Sequence, residues 1–418
     1  MDQQEKTGRR TASRAGLALL AAVMAGAVPA GALAQGVPGV TDTTIRIAVQ
    51  DSLSGAYAQY GAPSLHGVRL VFDKVNAAGG LFGRKLEVVA EDDGCTPKQS
   101  VGIATKLAAE KSVLAVLGLT CSSAAVAVRD SVAPTTPIPF ISFSSGGHTS
   151  SSPALGGLKP NVFFVAASVH AQGGGLVNFA MNRLKPARVA FIGQTDVYGK
   201  EGRQGVEEML GRYGQKLVAD ETMEARSTDA SAQILKLRAA NPDVVIAFLY
   251  QVPAQTLLRQ ADELGFRAKI ITSASVTDSA IYQSLPQSAL DNYYGSTLAS
   301  DVLTGPRLKP LLEELQAAYP KVTYNPLVAS GVGAAEVLVE ALRRAGRDVT
   351  PQTLVAELDR TRDAVTSALS YPVTFTPENH MGGRGVHIYE VKGGVETSTM
   401  EGYWPGTEKA AEPAAGAR

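Results

Sequence analysis

The chain has 418 residues, enough for two or three domains of ordinary size. Its 39 basic and 39 acidic residues balance, so no basic field indicates binding to nucleic acid, and we expect none. Two cysteines are too few for a disulfide-rich scaffold or a four-thiolate metal site.

The first 34 residues have the pattern of a secretory signal peptide. Arginines precede an apolar run over residues 15–28, and Ala32 and Ala34 frame a cleavage site before Gln35. A membrane anchor is the alternative, but this run is shorter than the roughly 20 residues that span a bilayer. Four basic and two acidic residues leave with the segment, so the remaining 384 residues carry a net charge of −2. We predict a soluble periplasmic protein.

Export changes the interpretation of Cys95 and Cys121. In an oxidising compartment such a pair is more often a disulfide than a reactive thiol. Closing a loop of about 25 residues would stabilise the fold by roughly 3 kcal/mol. Two unpaired buried thiols are the alternative.

Short apolar runs alternate with amphipathic stretches from Thr44 onward, which predicts parallel βαβ units under helices. In the first part, strands are predicted over residues 45–49, 86–90 and 113–119, with helices over 65–78 and 97–110. The pattern then restarts, with strands over 188–193, 217–219, 244–248 and 269–271 and helices over 199–213, 231–240 and 254–264. This repetition predicts two similar α/β lobes.

The last part adds further elements. Helices are predicted over residues 308–319, 327–344 and 351–358, followed by a closing pair of strands over 371–375 and 385–391. Residues 405–418 are rich in Ala and Pro, which predicts a disordered tail.

No motif indicates catalysis. The segment from Gly193 to Lys200 has five residues between its glycines, where a phosphate loop needs four, and Gly331 and Gly333 form a helical packing motif. Neither Ser122 nor Ser144 lies in a G-x-S-x-G turn, and no zinc motif is present. We therefore expect no enzyme activity, cofactor or metal. An exported hydrolase using one of these serines is a remote alternative.

Several short motifs occur in a familiar order along residues 39–404. They are Ser54–Gly55, Gln59–Gly61, Asn76–Gly80, Glu91–Gln99, Cys121–Ser123, Tyr198–Gly199 and Leu258–Ala261. Together they resemble the periplasmic ligand-binding proteins of ABC transporters, in the branched-chain amino acid (Leu/Ile/Val) group. The stretch Asp92 to Gln99 with its partner cysteine is the most specific of these motifs, although Ser100 stands where Ala is usual.

The resemblance implies an α/β fold of two Rossmann-like lobes joined by three crossovers, with a ligand cleft between them. Lobe 1 would comprise residues 39–168 and 300–368, and lobe 2 residues 169–299 and 369–404. The protein would be a receptor that closes on a small molecule and is read by ABC permease subunits at the membrane. We expect a monomer. A sensor domain of the same fold is the alternative.

The resemblance also implies a binding site. Ser122 and the stretch Ser144, Ser145 and Gly146 match positions that bind a ligand carboxylate, for which hydroxyls and N–H groups at a helix start are suited. Tyr60, Tyr198 and Tyr250 match aromatic walls of the cleft. The structural alternatives are a serine N-cap for Ser122 and ordinary packing for the tyrosines.

Three positions depart from the amino-acid binders of this family. Ala274 stands where an acidic residue holds the ligand ammonium, Val169 replaces a second acid, and Gly146 replaces a threonine. A buried ammonium without a carboxylate partner is costly. Asp278 could compensate. We therefore predict a carboxylate- or amide-bearing ligand without an obligatory ammonium, with an amino acid as the alternative.

Overall fold

The computed structural model describes residues 36–143, 159–276, 279–302, 305–393 and 395–403. The predicted signal peptide and tail therefore lie outside the described residues. Within the described ranges, no helix is both long enough and apolar enough to cross a membrane.

The first sheet has five parallel strands in the order β2-β1-β3-β4-β5. Its strands are β1 Thr44–Asp51, β2 Lys85–Asp92, β3 Ala115–Gly118, β4 Phe140–Ser142 and β5 Val162–Phe164. The first three helices of the chain are α1 Ala58–Ala77, α2 Pro97–Ala109 and α3 Ser122–Ser131. β3, β4 and β5 are buried along their whole length, as expected for a sheet covered on both faces.

The second sheet has seven strands in the order β12-β11-β10-β9-β8-β6-β7. Its strands are β6 Val189–Gln194, β7 Leu217–Met223, β8 Val244–Phe248, β9 Lys269–Thr272, β10 Tyr293–Thr297, β11 Gly385–Lys392 and β12 Val395–Tyr403. Five of these strands are parallel, and β11 and β12 close one edge in antiparallel fashion.

The remaining helices follow β5 in the chain. They are α4 Val169–Phe179, α5 Val197–Arg212, α6 Ser231–Ala240, α7 Gln251–Glu263, α8 Ser279–Ser284, α9 Gln287–Leu290, α10 Lys309–Ala318, α11 Val328–Ala345 and α12 Pro351–Leu358. Helix α11 packs on α1, where Gly331 lies against the Ser64 backbone so closely that a side chain would collide with it. The Gly331 and Gly333 pair is thus a packing motif inside a helix.

The chain passes between the lobes three times. It leaves the first sheet after β5, returns after β10 to place α11 on α1, and joins the second sheet again at β11. The predicted fold class, two α/β lobes joined by three crossovers, is confirmed. The lobe boundaries stay a prediction. The segment before β11 contacts the first sheet, since Gly382 donates its N–H to the Phe164 carbonyl and His380 stacks on Phe163.

One predicted strand is wrong. Residues 371–375 form no strand, and Val373 makes only an isolated bridge with Ala364. Val373 and Phe375 are fully buried, so their alternation reflects one-sided packing rather than sheet pairing. The partner of β11 is β12, which the sequence did not indicate.

Candidate ligand-binding site

The site lies at the point where strand order reverses in each sheet. In the first sheet β1 lies between β2 and β3, and in the second β6 lies between β7 and β8. The crevice beyond the carboxyl ends of strands at such a reversal is where open α/β sheets bind ligands. The segments that follow β1, β3, β6 and β8 therefore converge on one cavity.

Four predicted site residues line that cavity. Tyr60 lies in the first turn of α1, Ser122 begins α3, Tyr198 lies in the first turn of α5, and Tyr250 is the residue before α7. Ser144, Ser145 and Gly146 lie outside the described residues, as does Asp278. The structure brings the four described residues together, and their role in binding is a proposal.

Other residues of the lining were not singled out from the sequence. They are Thr120, Gln172, Ser275, Leu298 and Leu327; Cys121, predicted only as a disulfide partner, also lines the cavity. Thr120 directly precedes the Cys121–Ser122 motif, and Ser275 directly follows Ala274. Their position beside matched motifs was the signal that could have found them.

The two positions that depart from the amino-acid binders also line the cavity. Val169 begins α4 and is 2% exposed, and Ala274 follows β9 with the same exposure. None of the described residues that line the cavity is Asp, Glu, Lys or Arg. The described lining therefore offers hydroxyl, amide and backbone groups together with aromatic and aliphatic surface.

The tyrosines of the two lobes rest on one another across the cleft. The ring centroids of Tyr60 and Tyr250 are 5.1 Å apart, and Tyr198 stacks on Tyr250 at 4.9 Å. Gln251 donates its backbone N–H to the Tyr60 hydroxyl at 3.0 Å. Tyr57, whose ring contacts Tyr250, has the Arg226 guanidinium 5.8 Å from its ring centroid, within cation–π range. The cleft is closed.

Because the rings fill the cleft, the cavity measures only about 20 Å³, roughly enough for one water molecule. Burial raises the pKa of the hydroxyls of Tyr60, Tyr198 and Tyr250 well above its ordinary value, so these groups are neutral phenols. The Tyr198 hydroxyl is hydrogen-bonded to Ser273. A ligand larger than water enters only if the rings separate.

The start of α3 is held by a cross-link. Cys121 precedes α3, and Cys95 lies in the loop after β2, with their Cα atoms 5.5 Å apart and their sulfur atoms bonded. The same loop carries Asp93, whose carboxylate accepts from the Cys95 N–H at 2.9 Å. The disulfide thus ties the start of α3, with its N–H groups and hydroxyls, to the loop after β2.

Two α/β lobes with a cavity at their strand reversals define a two-lobed ligand-binding receptor. The sequence model of the family described as periplasmic binding protein matches residues 44–396, and the chain belongs to that family. The resemblance found in the sequence is confirmed at this level.

Two named relatives are similar to this chain in sequence. The leucine-specific-binding protein of Salmonella typhimurium is 27% identical over 347 residues, which cover 81% of this chain and 87% of that protein. An amino acid binding protein of Pseudomonas aeruginosa is 30% identical over 230 residues, which span 55% of this chain and 60% of that relative. Both relatives are binding proteins by name.

Solved structures share the fold. A branched-chain amino acid transporter substrate binding protein from Streptococcus pneumoniae, in complex with isoleucine, superposes with a TM-score of 0.73 at 22% identity, covering 87% of this chain and 99% of that one. An ABC transporter solute binding protein from R. palustris, in complex with benzoate, superposes with a TM-score of 0.72 at 20% identity, covering 86% and 96%.

Proposed function

We propose that this protein is the periplasmic receptor of an ABC importer and closes on a small carboxylate- or amide-bearing ligand that lacks an ammonium group. One observation carries the choice of ligand. Val169 and Ala274, which stand where the family's amino-acid binders place acids, both face the cavity. The cavity lining described above supplies no carboxylate to pair with an ammonium.

The lobe 1 side of the cavity suits a carboxylate. Thr120 and Ser122 bring hydroxyls to the start of α3, where backbone N–H groups and the helix dipole favour negative charge. Charge-assisted hydrogen bonds from such donors are the strong ones. The amide end of a neutral ligand would use the same donors through its carbonyl oxygen.

The lobe 2 side suits the body of the ligand. Tyr198 and Tyr250 present ring faces, and Val169 and Ala274 present apolar surface. A flat or branched apolar body would replace the ring contacts that now cross the cleft. The ligand would then bridge the lobes and shift the open–closed equilibrium that a permease reads.

A screen of matched acids tests the proposal. Calorimetry would compare leucine with 4-methylpentanoate and phenylalanine with 3-phenylpropanoate, since each pair differs by one ammonium group. We expect the acid without the ammonium to bind at least tenfold tighter in one pair, because the described site offers that group no counter-charge. Tight binding of leucine, with no binding of its partner, would contradict the proposal.

The variant Ala274→Asp sharpens the test. A carboxylate at this position supplies the missing counter-charge, so we expect it to weaken binding of the plain acids and to strengthen binding of the matched amino acids. The exposed Ala239→Asp on α6 is the control and should bind as the unmodified protein does. Equal effects of the two substitutions on binding would show that position 274 does not determine which ligand is bound.

An amino acid is the second candidate ligand, and the relatives favour it by name. In that case a carboxylate outside the described lining, such as Asp278, would pair with the ammonium. Asp278→Asn would then abolish amino acid binding, whereas our proposal expects it to leave the binding of plain acids unchanged.

Export is part of the proposal. Cleavage after Ala34 would leave Gln35 as the first residue and would deliver the cysteine pair to an oxidising compartment, where the cross-link forms. N-terminal sequencing of the protein from its native envelope should begin at Gln35. A chain that keeps residues 1–34 would contradict export by cleavage.

A further inference from the structure

A buried carboxyl group lies directly behind the carboxylate end of the cavity. Asp51 ends β1 and is fully buried. One of its oxygens accepts from the Ser52 N–H at 2.8 Å, and the other accepts from the Thr120 hydroxyl at 2.6 Å. Within the described residues Asp51 takes part in no ion pair. Its hydrogen-bond donors are therefore neutral groups.

Among the described residues, the elements packed around Asp51 bring acids and no counter-charge. Asp93, after β2, faces it and is also buried, accepting from the Ser100 hydroxyl at 2.9 Å. Asp92 lies next to Asp93, and hydrogen bonds from Ser54 and from backbone N–H groups hold its pKa below the ordinary value despite some burial. Burial and the facing Asp93 raise the pKa of Asp51 to about 7.

The described parts of the other neighbouring elements, α1 and the segment after β3, carry no competing charge toward Asp51. On α1, Gly61 packs against the carboxyl group, and Tyr60 directs its hydroxyl to Gln251 across the cleft. After β3 come Thr120 and Cys121, and the disulfide-bonded Cys121 does not titrate. The protonation of Asp51 is thus set by burial, by Asp93 and by neutral donors.

Thr120 connects this carboxyl group to the cavity, because it also lines the cavity. A threonine hydroxyl has a single proton to donate. When Asp51 is ionised, that proton is held in the bond to Asp51, and only oxygen lone pairs can face a ligand. When Asp51 is neutral, it can donate its own proton to Thr120, whose hydroxyl proton is then free to turn toward the cavity.

We propose that Asp51 and Thr120 couple the binding of a ligand carboxylate to the uptake of one proton from solvent. The proton joins the Asp51 carboxylate, Thr120 reverses its hydrogen bond, and the Thr120 hydroxyl donates to the anion. The balance is one anion and one proton bound, with no other charge moved. This inference rests on the proposed function, since it requires a carboxylate at the start of α3.

The charge of the bound ligand determines the direction in which its affinity changes with pH. An anion beside the site favours neutral Asp51 and raises the Asp51 pKa further, so binding strengthens as pH falls. We expect the Kd of 4-methylpentanoate to be about thirtyfold higher at pH 8.5 than at pH 6. Its uncharged counterpart, 4-methylpentanamide, should show a much smaller loss, because it does not repel an ionised Asp51 and its NH2 group can donate to the Thr120 hydroxyl oxygen.

Calorimetry in two buffers of different ionisation enthalpy measures the proton directly. The unmodified protein should take up close to one proton per 4-methylpentanoate at pH 8. Asp51→Asn should bind with a Kd independent of pH, and Thr120→Val, which keeps the shape but has no hydroxyl to relay, should take up less than half a proton. The exposed Asp42→Asn is the control and should keep the full pH dependence.

The protonation of Asp51 can also be measured directly in the ligand-free protein. Carbon-13 NMR of labelled aspartate should show one carboxyl group, absent in Asp51→Asn, that titrates between pH 6 and 8. An Asp51 that is already ionised at pH 6, or a pH-independent Kd for 4-methylpentanoate, overturns the coupling and leaves the proposed function intact. Failure of every carboxylate in the matched panel to bind at either pH overturns both.

Discussion

The two lobes share an architecture but bring different chemistry to the cleft. Lobe 1 contributes small polar groups at the start of α3, a disulfide beside them and a buried carboxyl group behind them. Lobe 2 contributes the rings of Tyr198 and Tyr250 and the apolar Val169 and Ala274. Under the proposed function, lobe 1 would bind the charged group of a ligand and lobe 2 would contact its apolar body.

The difference also concerns how each side is supported. Lobe 1 holds its donors through a covalent bond and a polar network of Asp51, Asp93, Ser100 and Thr120. In lobe 2 the ring of Tyr198 packs against Phe248, and its hydroxyl is bonded to Ser273. We therefore expect substitutions in lobe 1 mainly to change the free energy of unfolding, and substitutions in lobe 2 mainly to change the affinity for the ligand.

The largest expected effect is on the lobe 1 cross-link. Replacing both Cys95 and Cys121 by Ala should lower the free energy of unfolding of lobe 1 by about 3 kcal/mol, because the loop between them is no longer closed in the unfolded chain. Urea unfolding followed by two probes would separate the lobes. Reductant should lower the free energy of unfolding of the unmodified protein by the same amount and should not change that of the variant. An identical urea midpoint for all samples would contradict the prediction.

The next effect concerns Asp51 and pH. Its pKa of about 7 in the folded protein exceeds the unfolded value near 4, so its contribution to stability is present at pH 4 and is lost as pH rises through 7. Between pH 5 and pH 8 the free energy of unfolding should fall by roughly 2.5 kcal/mol as Asp51 ionises. Urea unfolding of Asp51→Asn at these pH values should lack that loss. Asp42→Asn should retain it, and a variant that loses stability in parallel with the unmodified protein would refute the assignment.

A smaller effect on ligand affinity is expected for a tyrosine of the lobe 2 cavity wall, but not for a tyrosine outside the cavity. Tyr250→Ala removes a ring face of the cavity wall that the ligand body would contact and should weaken binding of 3-phenylpropanoate about tenfold. Tyr213→Ala, on the half-exposed end of α5, is the control and should bind normally. Calorimetry measures both, and equal losses would show that lobe 2 does not recognise the ligand through its rings.

The smallest effect concerns the bond between the lobes. Tyr60→Phe removes the acceptor of the Gln251 N–H, so the open state gains population and the Kd should rise about threefold. Small-angle scattering of the ligand-free variant should show a larger radius of gyration. Tyr324→Phe, whose hydroxyl donates to the Leu315 carbonyl within lobe 1, should change neither quantity.

The sequence predicted the fold where local pattern and tertiary pairing agree. The predicted helices over 231–240 and 351–358 and the strand over 244–248 match the structure to the residue. The strand predicted over 371–375 failed because alternating burial arises there from packing on β5 and not from a partner strand. β12 was missed because its polar sequence gains its conformation from β11.

The site was predictable in part for a similar reason. Tyr60, Ser122, Tyr198 and Tyr250 follow predicted strands, and the shared edge of parallel strands brings them together. Asp51 carried no signal, because the sequence does not show that the end of β1 lies under α1 and beside Thr120. Relations between groups from distant segments appear only in three dimensions.

The placement of the cavity lining at strand ends has an evolutionary consequence. Thr120 and Ala274 each follow a strand within one sheet, β3 or β9, while the three crossovers lie elsewhere in the chain. A duplicated gene could therefore acquire a new cargo through a few substitutions at these positions and still inherit the closing motion unaltered. Ligand specificity and lobe closure would then evolve independently of each other.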